Sequence, residues 1–185
     1  MAPSLYEAHP ASVDHVIRRG QIYRFRPVVW LKPPLWIVRN IQWGSPTWAN
    51  LCRQVDLSDS FRRADDGNEE DVVARAKVRG VVVLSNDTEA ASPKLKEIIV
   101  APTYTITSEK PKQEFIDRLR AGAVPGCFYL PRDAAFPDTV ECYLDLRKVQ
   151  PLHKEFLLSQ YRLPVRLTAN AVAAILDRYK TYLYM

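Results

Sequence analysis

The residue best suited to chemistry in this sequence is an arginine that directly precedes a run of apolar residues. Arg79 stands before residues 80–84, a short and mostly β-branched segment that is typical of a buried strand. At the mouth of such a strand, a guanidinium group can hold a phosphate through two parallel hydrogen bonds. The alternative is a surface arginine that only caps the end of the strand. Arg79 is therefore our first candidate for a contact with phosphate.

One histidine and a group of tryptophans could also take part in chemistry or binding. His153 could exchange a proton near neutral pH, since imidazole has a pKa of about 6.5. A histidine beside Lys154 and Glu155 is, however, more typical of an exposed surface position. The tryptophans could stack on unpaired bases, although such a group more often forms a small hydrophobic core. They are Trp30, Trp36, Trp43 and Trp48.

The composition is that of a globular protein with a small positive charge. Lys and Arg exceed Asp and Glu by 26 − 21 = +5, which is compatible with a polyanionic partner but does not require one. The wide spacing of Cys52, Cys127 and Cys142 predicts free thiols rather than a disulfide framework or a zinc site. No stretch of about 18 uncharged apolar residues occurs. We therefore expect a cytoplasmic protein without a signal peptide or a membrane span.

The elements that must position these residues are mostly strands. Alternating or continuous apolar patterns predict strands at 21–26, 80–84, 97–107, 127–130 and 140–149, the first of them ended by Pro27. Helical spacing and capping residues predict helices at 45–55, 111–121 and 168–183. Residues 1–17 are expected to form a leader or an irregular arm, and the charged residues 61–71 a solvated loop.

This set of elements predicts a mainly β fold of the α+β class, namely a small SH3-like barrel with a C-terminal helix packed on it. Few long crossover helices separate the strands, which argues against a parallel doubly wound sheet. We expect a single domain over residues 1–185 with an inserted subdomain at 28–77, between the first and second strands. The tryptophan-rich part of the insertion, 28–55, is able to pack on itself.

Three separated segments resemble, in the same order, the PemK/MazF family of toxins. Residues 18–23, Arg-Arg-Gly-Gln-Ile-Tyr, are similar to the opening strand of the family. Residues 79–87, Arg-Gly-Val-Val-Val-Leu-Ser-Asn-Asp, are very similar to the family's RPVVVLSND segment, and residues 99–103 are similar to the strand that ends in a proline. A weaker fourth similarity covers residues 143–149. The resemblance implies a PemK-type barrel, with residues 28–77 in place of the family's glycine-rich loop.

The resemblance also implies a function. Members of the family are metal-independent endoribonucleases that cut single-stranded RNA with the RNA's own 2′-hydroxyl as nucleophile, so neither a metal nor a cofactor is expected. They are toxins of bacterial toxin–antitoxin pairs, form homodimers and are held in check by an acidic antitoxin. By resemblance, the catalytic residues would be Arg79, Asp145, Arg147 and Thr103. The RNA-binding residues would be Arg19, Gln21, Thr105, Lys148 and His153.

Each catalytic role has an ordinary structural alternative. Asp145 would accept a proton or orient Arg147; the alternative is a solvated aspartate in a half-exposed strand. Thr103 or Thr105 would hydrogen-bond the scissile phosphate; the alternative is a plain strand threonine. In these alternative interpretations, neither Asp145 nor the two threonines contact RNA.

Two other functions fit the same residues. The first is a catalytically silent barrel that binds RNA or a protein, which is favoured by two departures from the family: the missing glycine-rich loop and Tyr104 where the family has a threonine. Gly80 in place of a proline is a further departure. The second is an interaction protein of phage or mobile-element origin, with the tryptophan-rich insertion as its contact surface.

Overall fold

The computed structural model describes residues 4–9, 16–30, 35–38, 52–55, 71–73, 75–107, 111–157 and 162–184. The chain divides into two compact units. The first consists of Met1–Arg26 together with Val78–Met185, and the second is Pro27–Lys77. The second unit therefore covers nearly the same residues as the segment 28–77 that the sequence sets apart.

Most of the elements in the described residues of both units are strands. They are β1 Tyr6–Ala8, β2 Gln21–Trp30, β3 Leu35–Val38, β4 Cys52–Val55, β5 Asp71–Val73, β6 Arg75–Val83, β7 Glu97–Thr105, β8 Cys127–Leu130, β9 Cys142–Asp145, β10 Gln150–His153 and β11 Arg162–Leu167. Within the described ranges, the α-helices are α1 Asp87–Ala91, α2 Gln113–Arg120 and α3 Ala169–Leu183. Two short 3₁₀ helices cover Leu146–Lys148 and Lys154–Phe156.

The main sheet is antiparallel and has eight strands. Its order is β1-β11-β2-β6-β7-β9-β8, and β10 pairs with β7 outside this path. The sheet curls into a half-barrel, and the C-terminal helix α3 packs on it. The predicted class, a mainly β barrel-type fold with a C-terminal helix, is confirmed.

The centre of this sheet is the strand that the β-branched run predicts. Val81, Val82 and Val83 are fully buried. They pair with β7, where Val82 lies opposite Ala101 and Val83 opposite Val100. Removing each valine side chain from water contributes about 1.5–3 kcal/mol. The prediction of a buried strand over 80–84 is thus confirmed.

Helix α3 closes the core on one face of the sheet. It begins where Thr168 caps it, since the Thr168 side chain accepts a hydrogen bond from the backbone N–H of Ala171. Val172 and Ile175 are buried against the strands, as the helical spacing predicts. The same spacing also predicts that Leu183 faces inward; this prediction is wrong, because its side chain is 59% exposed. Leu183 lies about two turns beyond Ile175, the last buried residue of the helix.

Several predicted boundaries are wrong for local reasons. The strand expected over 140–149 ends at Asp145, because the Asp145 side chain accepts a hydrogen bond from the N–H of Arg147 and starts a 3₁₀ turn. Pro27 does not end the first strand, since β2 continues to Trp30. The expected leader contains β1, which pairs with β11 through Tyr6 and Leu167.

Besides β1, the first unit has two strands and one α-helix that were not expected from the sequence. They are β10, β11 and α1. Helix α1 begins at Asn86 through a capping box, in which Asn86 and Glu89 bind each other's backbone N–H groups. The pattern Asn-x-x-Glu is typical of a capping box, but here it directly follows the end of a strand, where turn residues are also expected.

The second unit contains a three-stranded antiparallel sheet of order β4-β3-β5. Leu35 lies opposite Val55, and Ile37 lies opposite Val72. The helix expected over 45–55 is therefore wrong at its end, where residues 52–55 form β4; its beginning lies outside the described residues. Most of the charged loop expected at 61–71 also lies outside them, as do Trp43 and Trp48, while Asp71 begins β5.

Among the residues that the structure describes, no helix is both long and apolar enough to cross a membrane. The two cysteines whose side chains are described, Cys127 and Cys142, are free and buried, as the sequence predicts. Burial raises the pKa of the Cys142 thiol to about 12, which makes it an unreactive core residue.

Candidate nucleic-acid interface

The alternation of strand β7 separates the candidate residues into two groups. Successive side chains of a strand point to opposite faces of the sheet, so Tyr104 lies on one face and Thr103 and Thr105 lie on the other. Tyr104 pairs with Tyr143 of β9. Because Gly80 pairs with Thr103, the preceding residue of β6, Arg79, comes next to Tyr104. Arg79 and Tyr104 therefore share a face that the two threonines do not.

Arg79 is held by an aromatic ring and has a free donor. Its guanidinium carbon lies 5.0 Å from the centre of the Tyr104 ring, a cation–π contact. Its Nε is buried and has no hydrogen-bond partner among the residues that the structure describes. A buried donor without a partner is unfavourable, by about 1–3 kcal/mol. An anion that accepts a hydrogen bond from Nε would remove that cost.

Lys148 approaches the same tyrosine. Its Nζ donates a hydrogen bond to Tyr104 Oη at 3.1 Å and lies 3.4 Å from Asp145 Oδ2. Burial lowers the pKa of Lys148, but the hydrogen bond with Tyr104 and the charge of Asp145 outweigh burial, so the pKa lies above its ordinary value. Lys148 is thus protonated at neutral pH. We call Arg79, Tyr104, Asp145, Arg147 and Lys148 the Tyr104 site.

Asp145 organises the cations of this site. Its side chain is only 2% exposed. One oxygen accepts hydrogen bonds from Arg147 Nε at 2.7 Å and from the Arg147 backbone at 3.3 Å, and the other accepts from Arg147 Nη2 at 3.1 Å. This hydrogen bonding raises the pKa of Arg147 further above its already high ordinary value. The alternative interpretation, in which Asp145 is a solvated strand aspartate, is therefore wrong. The contacts of Asp145 are those of a group that orients Arg147.

A glycine makes room for Arg147. Gly126 has φ +66°, a conformation that side chains other than glycine rarely adopt, and an added Cβ would lie 2.7 Å from Cγ of Arg147. Its carbonyl accepts a hydrogen bond from the N–H of Leu146, at the start of the 3₁₀ turn. Gly126 therefore helps to fix the position from which the Arg147 side chain extends.

Further aromatic rings support the site from behind. Tyr143 stacks on Tyr104 with ring centres 5.2 Å apart and planes 18° apart. Phe115 of α2 meets Tyr143 edge-on at 5.7 Å. Burial raises the pKa of Tyr143, which keeps its phenol neutral at physiological pH. The Tyr104 ring is thus backed by packed side chains and offers a fixed surface to a ligand.

Thr103 and Thr105 belong to the opposite face. The Thr103 hydroxyl lies over Gly80, where an added Cβ would come within 2.4 Å of Oγ1. Both threonines line a cavity of about 390 Å³ whose lining also includes Arg79 and apolar residues such as Leu130 and Leu163. The resemblance makes Thr103 a catalytic partner of Arg79, and both residues line this cavity. The strand alternation nevertheless directs the Thr103 side chain away from Tyr104.

Arg19 and Gln21 have structural partners. Arg19 Nε donates to the carbonyl oxygens of Leu84 at 2.9 Å and Ser85 at 3.2 Å, which ties the start of β2 to the end of β6. Gln21 has no exposed surface. Its amide oxygen accepts a hydrogen bond from the hydroxyl of Tyr23 at 2.9 Å. The expectation that Gln21 binds RNA is wrong, because nothing of the side chain reaches the surface.

His153 lies apart from the other candidates. It pairs with Glu97 at the beginning of β7, seven residues from Tyr104. At about 3.3 Å per residue, this is a separation of about 23 Å along the strand. Its Nδ1 is 3.7 Å from Glu155 Oε2, an exposed contact. The surface interpretation of His153 therefore fits its position.

Tyr104 is the residue that sequence reasoning missed. From the sequence, Tyr104 is only a departure from the family's threonine. The sequence favours its neighbours Thr103 and Thr105 as the residues that contact the phosphate. Period-2 alternation divides β7 into two faces, but the register with β6 is needed to decide that Tyr104, and not Thr103, stands beside Arg79.

No protein-family model matches this chain, and a search of curated proteins finds no match either. The resemblance to the PemK/MazF toxins consequently depends on the segments quoted from the sequence. Within the described residues, no cluster of three or more His, Cys, Asp or Glu side chains is placed to hold a metal ion. The chemistry of the site must be argued from Arg79, Tyr104, Asp145, Arg147 and Lys148.

Proposed function

We propose that this protein is a metal-independent endoribonuclease of the PemK/MazF toxin type, which binds single-stranded RNA at the Tyr104 site. One observation carries the proposal. The guanidinium of Arg79 lies over Tyr104 with a buried and unpartnered Nε. A backbone phosphate is an anion that can accept hydrogen bonds from this guanidinium group.

The charges of the site favour a polyanion. Arg79, Arg147 and Lys148 carry three positive charges and Asp145 carries one negative charge, a sum of 3 − 1 = +2. Asp145 is buried beneath Arg147 and Lys148, whose side chains are 44% and 39% exposed. The carboxylate thus directs the cations without covering them. This arrangement leaves positive charge available for a phosphodiester.

The cleavage step uses the substrate's own hydroxyl. The 2′-oxygen attacks phosphorus, the bond from phosphorus to the 5′-oxygen breaks, and the products are a 2′,3′-cyclic phosphate and a free 5′-hydroxyl. Negative charge develops on the phosphorane oxygens during this step. Arg79 is placed to stabilise that charge through its free donor, with Arg147 as a second cation.

The remaining parts of the proposal follow the family. The protein would act in the cytoplasm as a homodimeric toxin, and an acidic antitoxin would restrain it. The +2 charge of the Tyr104 site supports an acidic inhibitor, because carboxylates of a partner would compete with RNA phosphates for Arg79 and Arg147.

A second candidate is a silent barrel that binds RNA without cutting it. Both oxygens of Asp145 are engaged by Arg147, and one also faces Lys148 at 3.4 Å, so this carboxylate is not poised to take a proton from a 2′-hydroxyl. Thr103 and Thr105 face the other side of the sheet. These two observations favour binding over catalysis.

An RNA assay without metal ions tests both candidates. Labelled single-stranded RNA is incubated with the protein in EDTA, and the products are examined for 2′,3′-cyclic ends. We expect cleavage by the parent and a loss of about 10²- to 10³-fold with Arg79→Ala, because one charge-stabilising donor is removed. The matched control is Arg120→Ala, which removes an arginine that is paired with Glu141 at 2.6 Å.

The outcomes separate the candidates. Cleavage by Arg120→Ala but not by Arg79→Ala supports the endoribonuclease. Retardation of the RNA without any cleavage supports the silent barrel. Neither binding nor cleavage by the parent would reject both, and equal activity of Arg79→Ala and the parent would remove Arg79 from the site.

A further inference from the structure

The Tyr104 hydroxyl has an arrangement that suits proton donation. Lys148 Nζ donates a hydrogen bond to Tyr104 Oη at 3.1 Å. An ammonium group can only donate, so Oη is the acceptor in this contact and the proton of the phenol remains available for another acceptor. The same ammonium would stabilise the negative charge on Oη after that proton has left.

Tyr104 is also next to the proposed phosphate position. The guanidinium carbon of Arg79 lies 5.0 Å from the centre of its ring. A phosphate bound to the Arg79 guanidinium would therefore lie beside the Tyr104 ring. Stacking on Tyr143 limits how far the ring can turn away.

The other candidates cannot fill this role. The carboxylate of Asp145 is occupied by Arg147, Thr103 faces the opposite side of the sheet, and His153 is about 23 Å away along β7. Cleavage through the 2′-hydroxyl nevertheless requires an acid for the departing 5′-oxygen.

We infer that Tyr104 is the general acid of the Tyr104 site and that Lys148 stabilises its phenolate; this inference rests on the proposed endoribonuclease function. As the bond from phosphorus to the 5′-oxygen breaks, the electron pair goes to that oxygen, which takes the phenolic proton. The proton of the 2′-hydroxyl passes to water. After product release, water returns a proton to Tyr104, so no further reactant is consumed.

The variant Tyr104→Phe tests the inference. Phenylalanine keeps the ring beneath Arg79 and against Tyr143 but lacks the hydroxyl. We expect unchanged RNA affinity and a cleavage rate lower by about 10²- to 10⁴-fold. The matched control is Tyr143→Phe, which removes the hydroxyl of the neighbouring stacked ring and should leave cleavage unchanged.

A modified substrate identifies the acid role specifically. In RNA with sulfur in place of the bridging 5′-oxygen, the leaving thiolate needs no proton. Tyr104→Phe should cut this substrate at nearly the parental rate. Lys148→Met, a change at a half-exposed position, should lower cleavage of ordinary RNA and be rescued in the same way. This second variant provides the test if Tyr104→Phe does not fold.

Each result decides one question. Parental activity of Tyr104→Phe on ordinary RNA would overturn the inference and leave the proposed function standing. Slow cleavage of both substrates by the Tyr104 and Lys148 variants would also overturn it, because it would show a positioning role. If the parent cuts neither substrate, the proposed function fails, and the inference fails with it.

Discussion

Two arginine–carboxylate pairs of the first unit share the same chemistry but differ in their surroundings. In the pair of Asp145 and Arg147, the carboxylate is 2% exposed and the arginine 44% exposed. In the pair of Glu141 and Arg120, the values are 30% and 47%. The arginines are thus equally accessible, and the pairs differ in the burial of the carboxylate.

This difference decides which pair can support a binding site. The buried Asp145 cannot turn towards water, so it holds Arg147 by two side-chain hydrogen bonds and also contacts Lys148. Glu141 is accessible and accepts hydrogen bonds from Tyr129 and Arg120, each at 2.6 Å. Glu141 neutralises its arginine at the surface. Asp145 neutralises Arg147 from below and leaves the outer side of the guanidinium open.

Removing the buried carboxylate should have the largest effect of the changes that test this comparison. Asp145→Asn should lower the free energy of unfolding by about 2–4 kcal/mol, because a buried charged acceptor of several hydrogen bonds is lost. It should also weaken RNA binding, since Arg147 and Lys148 lose their anchor. Urea unfolding and RNA retardation measure the two effects. A variant as stable as the parent would contradict the organising role of Asp145.

Crowding Arg147 should have an intermediate effect. Gly126→Ala should lower the free energy of unfolding by about 1–3 kcal/mol, because its positive φ disfavours a side chain and the new Cβ meets Arg147. The matched control is Gly122→Ala, since Gly122 has φ +67° and its Cβ would meet only the end of the flexible Arg178 side chain at 3.0 Å. Thermal unfolding should therefore show a larger loss for Gly126→Ala. Equal losses of stability in the two variants would mean that the positive φ alone, and not the contact with Arg147, destabilises Gly126→Ala.

Removing the more accessible carboxylate, that of Glu141, should have the smallest effect of the three changes. Hydrogen bonds from Tyr129 and then from Arg120 lower the pKa of Glu141 below its ordinary value of 4.5. A lowered pKa in the folded state adds stability above about pH 4.5, which is lost as the pH falls through the folded pKa. Glu141→Gln should therefore cost less than about 1 kcal/mol at pH 7 and nothing in strong acid. Urea titrations at several pH values measure this difference; a pH-independent difference would contradict the assignment.

The local pattern of the sequence was sufficient for the strongest elements. The β-branched residues 81–83 specify a buried strand because such side chains gain most from burial on both faces of a sheet. The helix over 168–183 follows from apolar spacing and from Thr168 as its cap. Neither conclusion needs information about a distant part of the chain.

The composition of the candidate site depended on the tertiary structure. Strand alternation divides β7 into two faces, but only its pairing with β6 and β9 decides that Tyr104, and not Thr103, stands beside Arg79. Likewise, a sequence that alternates charged and apolar residues is typical of a half-exposed strand, whereas packing buries Asp145 completely.

The sequence by itself therefore determined a mainly β fold with a buried central strand and a C-terminal helix. It also identified Arg79 as the main candidate for a contact with phosphate. Only the tertiary structure decided that Tyr104 and Lys148 join Arg79, and that Gln21, Thr103 and His153 do not. The physical reason is that propensity and periodicity act between neighbours in the chain. Cross-strand register and the burial of a carboxylate are set by contacts between residues that are distant in sequence.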